Sequence, residues 1–252
     1  MNFNLNNLPE RHPKPRKEGL TMVMDKGLSV REAEDLLSVS EPYIDLLKFG
    51  FGTAFVTPNI EDKIAVYKQA KIACYFGGTL FEAFLIRNKF DDYIRLLEKY
   101  KMEYAEVSDG SIDLEHNVKC DYINRLSKHV TVLSEVGSKD ENKMLAPYKW
   151  IELMKKEIDA GSYKVIAEAR ESGTVGIYHS KGEVRSDLID EILTQVPQEN
   201  IIWESPLKAQ QVYFIKLLGA NVNLGNIPPN EVIPLETLRL GLRGDTFHHF
   251  LK

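Results

Sequence analysis

The chain has 252 residues, of which 43% are hydrophobic and 27% charged, a composition typical of a globular protein with a sizeable core. Its net charge of −5 at pH 7 argues against nucleic-acid binding, because proteins that bind a phosphate backbone usually present a basic face. No apolar run reaches the roughly 18 residues of a membrane helix, and the polar start lacks the apolar stretch of a signal peptide. We therefore expect a cytoplasmic protein with no nucleic-acid or membrane partner.

The first 17 residues are predicted to form a polar arm ahead of a single domain at 18–252. The arm contains a basic run from Arg11 to Lys17, and Pro13 and Pro15 within this run disfavour a helix. The sequence leaves two alternatives for the arm, a solvated tail or a strap that packs on a neighbouring subunit.

From residue 18 onward, short apolar runs alternate with amphipathic stretches. Strands are predicted at 20–24, 43–49, 71–76, 103–107, 130–136, 164–169, 201–204 and 222–224. Helices are predicted at 29–37 with Ser29 as cap, 60–70, 79–100 with Thr79 as cap and a break near Asn88, 119–127, 148–160, 186–195, 208–218 and 231–240.

Eight strand–helix repeats in about 250 residues predict an α/β fold, a (β/α)8 TIM barrel in one domain. The alternative is an open doubly wound sheet. It is disfavoured because no glycine-rich dinucleotide loop follows the first predicted strand.

Ionisable groups follow nearly every predicted strand, which is where a barrel of this type builds its active site. Four carboxylates, those of Glu106, Glu135, Glu168 and Glu204, could hold a hard cation such as Mg²⁺, which prefers oxygen ligands. Each carboxylate taken alone is also compatible with a buried salt bridge.

Cations and glycine turns at the same strand ends favour an anionic ligand. Lys48, Lys139 and Arg170 suit phosphate or carboxylate oxygens. The turns at 77–79 and 225–227 offer backbone N–H groups near helix starts, although ordinary loop geometry explains such turns equally well.

Taken in order, these strand-end motifs resemble the phosphosulfolactate synthase family. Examples are Lys-Phe-Gly-Phe-Gly-Thr at 48–53 and Glu-Ala-Arg-Glu-Ser-Gly at 168–173. The resemblance covers about residues 18–246, and its stretches are 47–53, 77–82, 108–110, 134–137, 168–173, 201–204, 221–227 and 241–246. The chain departs from the family pattern at Ser138, where a second lysine is expected beside Lys139.

The resemblance implies a Mg²⁺-dependent carbon–sulfur lyase and a homo-oligomer. In the implied reaction, sulfite adds to C3 of phosphoenolpyruvate and a proton reaches C2, giving (2R)-phospho-3-sulfolactate for coenzyme M or sulfolactate biosynthesis. Lys139 is then expected to donate the proton, and Lys48 is the alternative donor. The remaining expected contacts are Glu106, Glu135, Glu168 and Glu204 for metal, Lys48 and Arg170 for substrate anions, and Asn223, Gly225 and Asn226 for phosphate.

Two other functions remain compatible with the sequence. One is a different barrel lyase or aldolase that acts on phosphoenolpyruvate or a 2-oxo acid. The other is a non-catalytic, stress-associated homologue on the same scaffold, which would tolerate substitution of Lys48, Lys139 and Arg170.

Overall fold

The predicted apolar runs form parallel strands in the computed structural model, which describes residues 3–137 and 145–251. The strands of this part of the chain are β1 (Thr21–Asp25), β2 (Leu46–Phe49), β3 (Ala73–Phe76), β4 (Tyr104–Val107), β5 (Thr131–Val136), β6 (Ser162–Ala167), β7 (Ile201–Glu204) and β8 (Leu224–Ile227).

Helices separate the strands along the whole described chain. They are α1 (Val30–Ser40), α2 (Ile60–Gln69), α3 (Gly78–Leu85), α4 (Phe90–Lys99), α5 (His116–Leu126), α6 (Pro147–Asp159), α7 (Ser186–Leu193), α8 (Lys208–Leu218), α9 (Val232–Arg239) and α10 (Phe247–Phe250). Among the described residues, no helix is both long and apolar enough to cross a bilayer.

The eight strands form one sheet in the order β3-β2-β1-β8-β7-β6-β5-β4. The paired neighbours for which a register is defined run parallel. The two ends of this order, β3 and β4, lie against each other, and the Tyr75 hydroxyl of β3 donates to Glu106 Oε2 of β4 at 3.1 Å. The sheet therefore curls into a nearly closed barrel with helices outside, which confirms the predicted fold.

Apolar side chains fill the barrel interior. Alternate residues of a strand face opposite sides of the sheet, so each strand contributes one set to the interior and one to the helices. On the outer side, for example, Trp203 of β7 stacks on Phe214 of α8 with ring centroids 4.9 Å apart. The interior cluster consists of Leu20, Met22, Leu46, Tyr75, Leu133, Ile166 and Ile202. Polar residues at the carboxyl ends of the strands lie above this packed layer.

Local sequence signals explain several boundaries. The Ser29 side chain accepts a hydrogen bond from the N–H of Glu32, whose carboxylate accepts from the N–H of Ser29, so this capping box starts α1 as predicted. The predicted break near Asn88 is confirmed, because Asn88 has φ 56° between α3 and α4. Thr79 was wrongly predicted as a cap, since α3 already begins at Gly78.

The eighth strand begins later than predicted. The sequence favoured 222–224, but β8 is Leu224–Ile227. Gly219, with φ 89°, ends α8, and the two asparagines that follow bond to neighbouring segments before the strand starts. Residues 221–223 therefore lie at the N-terminal end of the barrel. The sequence had predicted their side chains at the opposite, carboxyl end.

The N-terminal arm crosses the end of the barrel opposite the strand carboxyl ends. Arg11 pairs with Glu236 at 2.9 Å, and Arg16 pairs with Asp45 at 3.0 Å. The side chains of both arginines are less than a tenth exposed. Arg11 also donates to the Asn221 carboxamide. The basic run therefore contacts its own barrel through both arginines.

Candidate active site

A buried lysine at the carboxyl end of β2 contacts carboxylates from three other strands. The Lys48 ammonium lies 3.3 Å from Glu106 Oε2, 3.3 Å from Glu135 Oε1 and 3.1 Å from Glu204 Oε1. All four side chains are almost fully buried. β2, β4, β5 and β7 thus converge on one charged cluster at the barrel mouth, as parallel strands of a barrel place their carboxyl ends together.

Burial and charge shift the proton affinities of this cluster. Burial alone would lower the pKa of Lys48, but the carboxylates of Glu106, Glu204 and Glu135 outweigh it and raise that pKa well above its ordinary value. Burial raises the pKa of Glu106 to about 8; Glu135 and Glu204 add to this rise, whereas Lys48 opposes it. At Glu106, burial therefore outweighs the opposing effect of the Lys48 ammonium.

Backbone and phenol donors fix the positions of two of these carboxylates. Glu106 accepts from the N–H of Gly78 at 2.6 Å and from the Tyr75 hydroxyl at 3.1 Å. Glu204 accepts from the N–H of Ala169 at 2.8 Å. Gly78 has no room for a side chain, because a Cβ atom there would lie 2.2 Å from Ser108 Oγ. The start of α3 thus approaches β4 closely enough to hold Glu106 in place.

A small pocket opens over this cluster. Besides Lys48 and its three glutamates, the pocket is lined by Met24, Gly50, Phe51, Gly77, Gly78, Thr79, Ala169, Glu171 and Asn226.

Asn226, which lines this pocket, has two unusual properties. Its φ of 54° is in the left-handed region, which a non-glycine residue seldom adopts. Its side chain is nearly buried, and its Oδ1 atom has no hydrogen-bond partner within residues 3–137 and 145–251. Within these residues, this carboxamide oxygen is a candidate contact for a bound ligand.

The donor set of the pocket fits Mg²⁺ in its chemistry. Glu106, Glu135 and Glu204 supply carboxylate oxygens, and Asn226 supplies a carboxamide oxygen that accepts no hydrogen bond from the described residues. In the described part of the chain, no group of three or more His, Cys, Asp or Glu side chains is placed so that it could hold a metal ion by itself. Mg²⁺ does not require one, since it usually takes one or two protein carboxylates and completes its shell with water and substrate oxygens.

The fourth predicted metal ligand, Glu168, is buried directly after β6. Its N–H donates to the Val136 carbonyl, and its side chain lies against Gly137, where a Cβ atom would come 2.8 Å from the Glu168 Cβ. The structure thus brings three of the four predicted carboxylates around Lys48 and places the fourth at the junction of β5 and β6.

The predicted cations have different surroundings. Lys48 lies in the pocket as expected, but three carboxylates already contact its ammonium. Arg170 is half-buried in the loop after β6, and its N–H donates to the Thr174 carbonyl. Lys139, the predicted acid, lies outside the described residues, so its role stays a prediction.

The prediction for Asn223 was wrong. Its carboxamide accepts from the N–H of Leu20 and donates to the carbonyls of Glu199 and Ile201, all at the N-terminal end of the barrel. The cause is the late start of β8, which leaves Asn223 before the strand instead of after it.

Gly225 also differs from its predicted role as a phosphate contact. It lies in β8 and faces the interior apolar layer, because a Cβ atom there would come 2.5 Å from Met22 Cε and 3.0 Å from Ile202 Cγ2. Because Gly225 has no side chain, Met22 and Ile202 of the interior cluster can pack against its backbone. Of the three predicted phosphate contacts, only Asn226 lines the pocket.

Sequence reasoning missed a second buried cation beside the mouth. Lys119 donates to Asp109 at 2.8 Å and to the backbone carbonyl of Glu135, and it pairs with Glu157 at 2.8 Å. Its position at the start of a predicted helix carried no signal of this role. Through the Glu135 carbonyl, Lys119 supports the strand end that presents a pocket carboxylate.

Known structures share the fold of this chain. 3-Hexulose-6-phosphate synthase from Salmonella typhimurium aligns with a TM-score of 0.58 and 15% identity, over 89% of this chain and 100% of that one. 3-Keto-L-gulonate-6-phosphate decarboxylase from Vibrio cholerae aligns with a TM-score of 0.58 and 10% identity, over 92% and 99%. At such low identity, the likeness establishes the barrel fold and nothing further.

Relatives found by sequence have much higher identity to this chain than these structures do. Phosphosulfolactate synthase from Methanothermobacter thermautotrophicus is 42% identical, over 94% of this chain and 95% of the relative. The enzymes of the same name from Bacillus subtilis and Methanocaldococcus jannaschii are 42% and 44% identical, over 95% and 92% of this chain and 96% and 94% of the relatives. The model of the family described as (2R)-phospho-3-sulfolactate synthase (ComA) matches residues 9–245. The chain therefore belongs to the (2R)-phospho-3-sulfolactate synthase (ComA) family of enzymes.

Proposed function

We propose that this chain is a phosphosulfolactate synthase, which adds sulfite to C3 of phosphoenolpyruvate and yields (2R)-phospho-3-sulfolactate. The observation that carries the proposal is the pocket at the barrel mouth, where Lys48 and three buried glutamates converge in a chain with three curated relatives of that name. The nearly closed barrel places this pocket where barrel enzymes carry out their chemistry.

The reaction demands control of negative charge more than activation of a nucleophile. The sulfur lone pair of sulfite forms the new bond to C3, and the double-bond electrons move toward C2 and the carboxylate. C2 then takes a proton. Both reactants are anions, so the site must offset their repulsion and the charge that develops on the carboxylate.

Oxygen ligands in the pocket suit a bound Mg²⁺, whose chemistry when present is to stabilise the developing carboxylate charge as a Lewis acid. We propose that Glu106, Glu135, Glu204 and the Asn226 carboxamide hold it, directly or through water. The convergence of three carboxylates on one pocket, and the Asn226 oxygen that no donor among residues 3–137 and 145–251 reaches, support that role. Glu168 remains a proposed ligand beside them.

Lys48 acts in this proposal as a fixed cation that orders the carboxylates. An ammonium shared by three carboxylates is a poor proton donor, because these carboxylates raise its pKa well above the ordinary value. We therefore retain Lys139 as the proposed donor of the C2 proton. Arg170, half-buried at the mouth, remains a proposed contact for a substrate anion.

The phosphate group has a suitable place at the start of α3. Gly77, Gly78 and Thr79 line the pocket there, and the first N–H groups of a helix attract anions. The Gly78 N–H is already used by Glu106, so the neighbouring N–H groups and Asn226 are the proposed contacts.

We also propose a homo-oligomer in the cytoplasm. Phe55 and Val56, exposed by 83% and 74% after β2, support an association surface. Two free cysteines support a reducing compartment.

The reaction is tested by ³¹P NMR of the protein with phosphoenolpyruvate, Mg²⁺ and one of several partners. Sulfite is expected to give a new phosphate-ester signal without inorganic phosphate. An aldehyde or 2-oxo acid that reacts while sulfite does not would favour the other lyases on this barrel. No reaction with any partner would favour the non-catalytic homologue.

A further inference from the structure

The described lining of the pocket contains more carboxylates than cations. Among the described residues that line it, the charged groups are one ammonium, Lys48, and four carboxylates. Three of these carboxylates contact Lys48, and the fourth belongs to Glu171 at the rim. A cation at the rim would lower the barrier to entry of an anionic substrate.

Lys26 stands at this rim on a turn that is held rigidly. It follows β1 directly, after the fully buried Asp25. The Asp25 carboxylate accepts from the N–H groups of Gly27 and Leu28, both at 2.8 Å, and pairs with the Lys63 ammonium at 2.9 Å. These contacts fix the backbone of the turn, so the Lys26 side chain starts from a defined point at the mouth.

The Lys26 ammonium forms an ion pair with Glu171, which follows β6 and lines the pocket. β1 and β6 are separated by β8 and β7 in the sheet, so this pair reaches across part of the mouth. The two side chains are 44% and 45% exposed. Ion pairs with such exposure contribute little to stability, so the ammonium can change partners at small cost.

We propose that Lys26 binds an anionic group of phosphoenolpyruvate and that Glu171 holds this ammonium at the rim until the substrate replaces it. The inference rests on the proposed function in one respect, the anionic nature of the substrate. Glu171 competes with the substrate for Lys26, and its withdrawal removes one carboxylate from the path into the pocket.

The test measures binding of phosphoenolpyruvate in the presence of Mg²⁺, without sulfite, by isothermal titration calorimetry. Lys26→Met is expected to raise the Kd on the order of tenfold, as loss of one charge-assisted hydrogen bond does. Lys26→Arg keeps the charge and should retain most of the affinity. Glu171→Gln removes the competitor and should bind as tightly as the unmodified protein or more tightly.

The double variant Lys26→Met/Glu171→Gln separates two explanations. If Lys26 contacts the substrate, the double variant binds as weakly as Lys26→Met. If it returns to the unmodified Kd, the defect came only from an uncompensated Glu171, and the proposal is wrong. An unchanged Kd in Lys26→Met also overturns it.

Lys156→Met is the matched control, because Lys156 forms an ion pair of similar exposure with Glu152 on the outside of α6. Its Kd should equal that of the unmodified protein, and an equal rise in both lysine variants would overturn the proposal. If phosphoenolpyruvate binds but sulfite never reacts, the proposed reaction fails while the Lys26 result still stands. If phosphoenolpyruvate does not bind at all, both ideas fail.

Discussion

Lys48 illustrates what a single residue does in this barrel. Its sequence context, a lysine at the end of an apolar run, predicted a cation at the mouth that would bind substrate anions. The structure adds three glutamate partners from β4, β5 and β7. The alternation of side chains within one strand predicts which face a residue lies on, but not which residue of another strand it meets, because that depends on register and barrel closure.

Lys48→Met tests the role of this ammonium in stability. The variant leaves three buried carboxylates without their shared counter-charge, so the free energy of unfolding should fall by roughly 3–5 kcal/mol. Urea denaturation followed by circular dichroism measures the change. Lys156→Met, which removes an exposed ion pair, should stay within about 0.5 kcal/mol of the unmodified protein. A Lys48→Met protein as stable as the control would contradict the assigned role.

Glu106 predicts a pH dependence whose sign follows from its raised pKa. The pKa is about 8 in the folded chain, against an ordinary value of 4.5. Between these values the folded state binds more protons than the unfolded state, so stability contributed by this group falls as pH rises and levels off above the folded pKa. Glu106→Gln removes this titration.

The melting temperature of Glu106→Gln relative to the unmodified protein should therefore increase from about pH 5 to about pH 8 and then remain constant. Differential scanning fluorimetry with EDTA present measures both proteins without competition from bound metal. A difference that does not change with pH would show that Glu106 is already ionised when buried.

At the scale of secondary-structure elements, the accuracy of each predicted strand boundary determined whether the site residue near it was placed at the correct end of the barrel. Glu106 and Glu204 lie in the last two residues of strands whose carboxyl ends were predicted correctly, so they lie at the mouth. The start of β8 was predicted two residues too early, and this moved Asn223 to the wrong end of the barrel. The local pattern around β8 is short and rich in asparagine, so hydrophobic periodicity could not locate its first residue.

The approach of α3 to β4 gives a test at this scale. In Gly78→Ala, the new Cβ would lie 2.2 Å from Ser108 Oγ and 3.2 Å from Glu106 Oε1. Both neighbours are buried, so we expect a loss of roughly 1–3 kcal/mol in unfolding free energy. Gly244→Ala is the matched control, because a Cβ there meets no atom within 4 Å. Equal stability of the two variants in urea would contradict the close approach.

At the scale of the whole molecule, the fold could be predicted because eight alternating repeats in a chain of this length leave few topologies. The arm could not be placed in the same way. Its contacts with Glu236, Asp45 and Asn221 join positions far apart in sequence, and polar composition carries no information about such pairs. The same holds for the site. The sequence predicted which residue types lie at the barrel mouth, but not which side chains contact each other there.

The central claim, that this barrel adds sulfite to phosphoenolpyruvate, is tested most directly by ¹H NMR of the vinyl protons of phosphoenolpyruvate. With the unmodified protein, Mg²⁺ and sulfite, these signals should disappear without formation of pyruvate. EDTA or omission of sulfite should preserve them, and so should a folded Lys139→Ala variant. Vinyl signals that persist with all components present, or that decay equally without sulfite, would contradict the account.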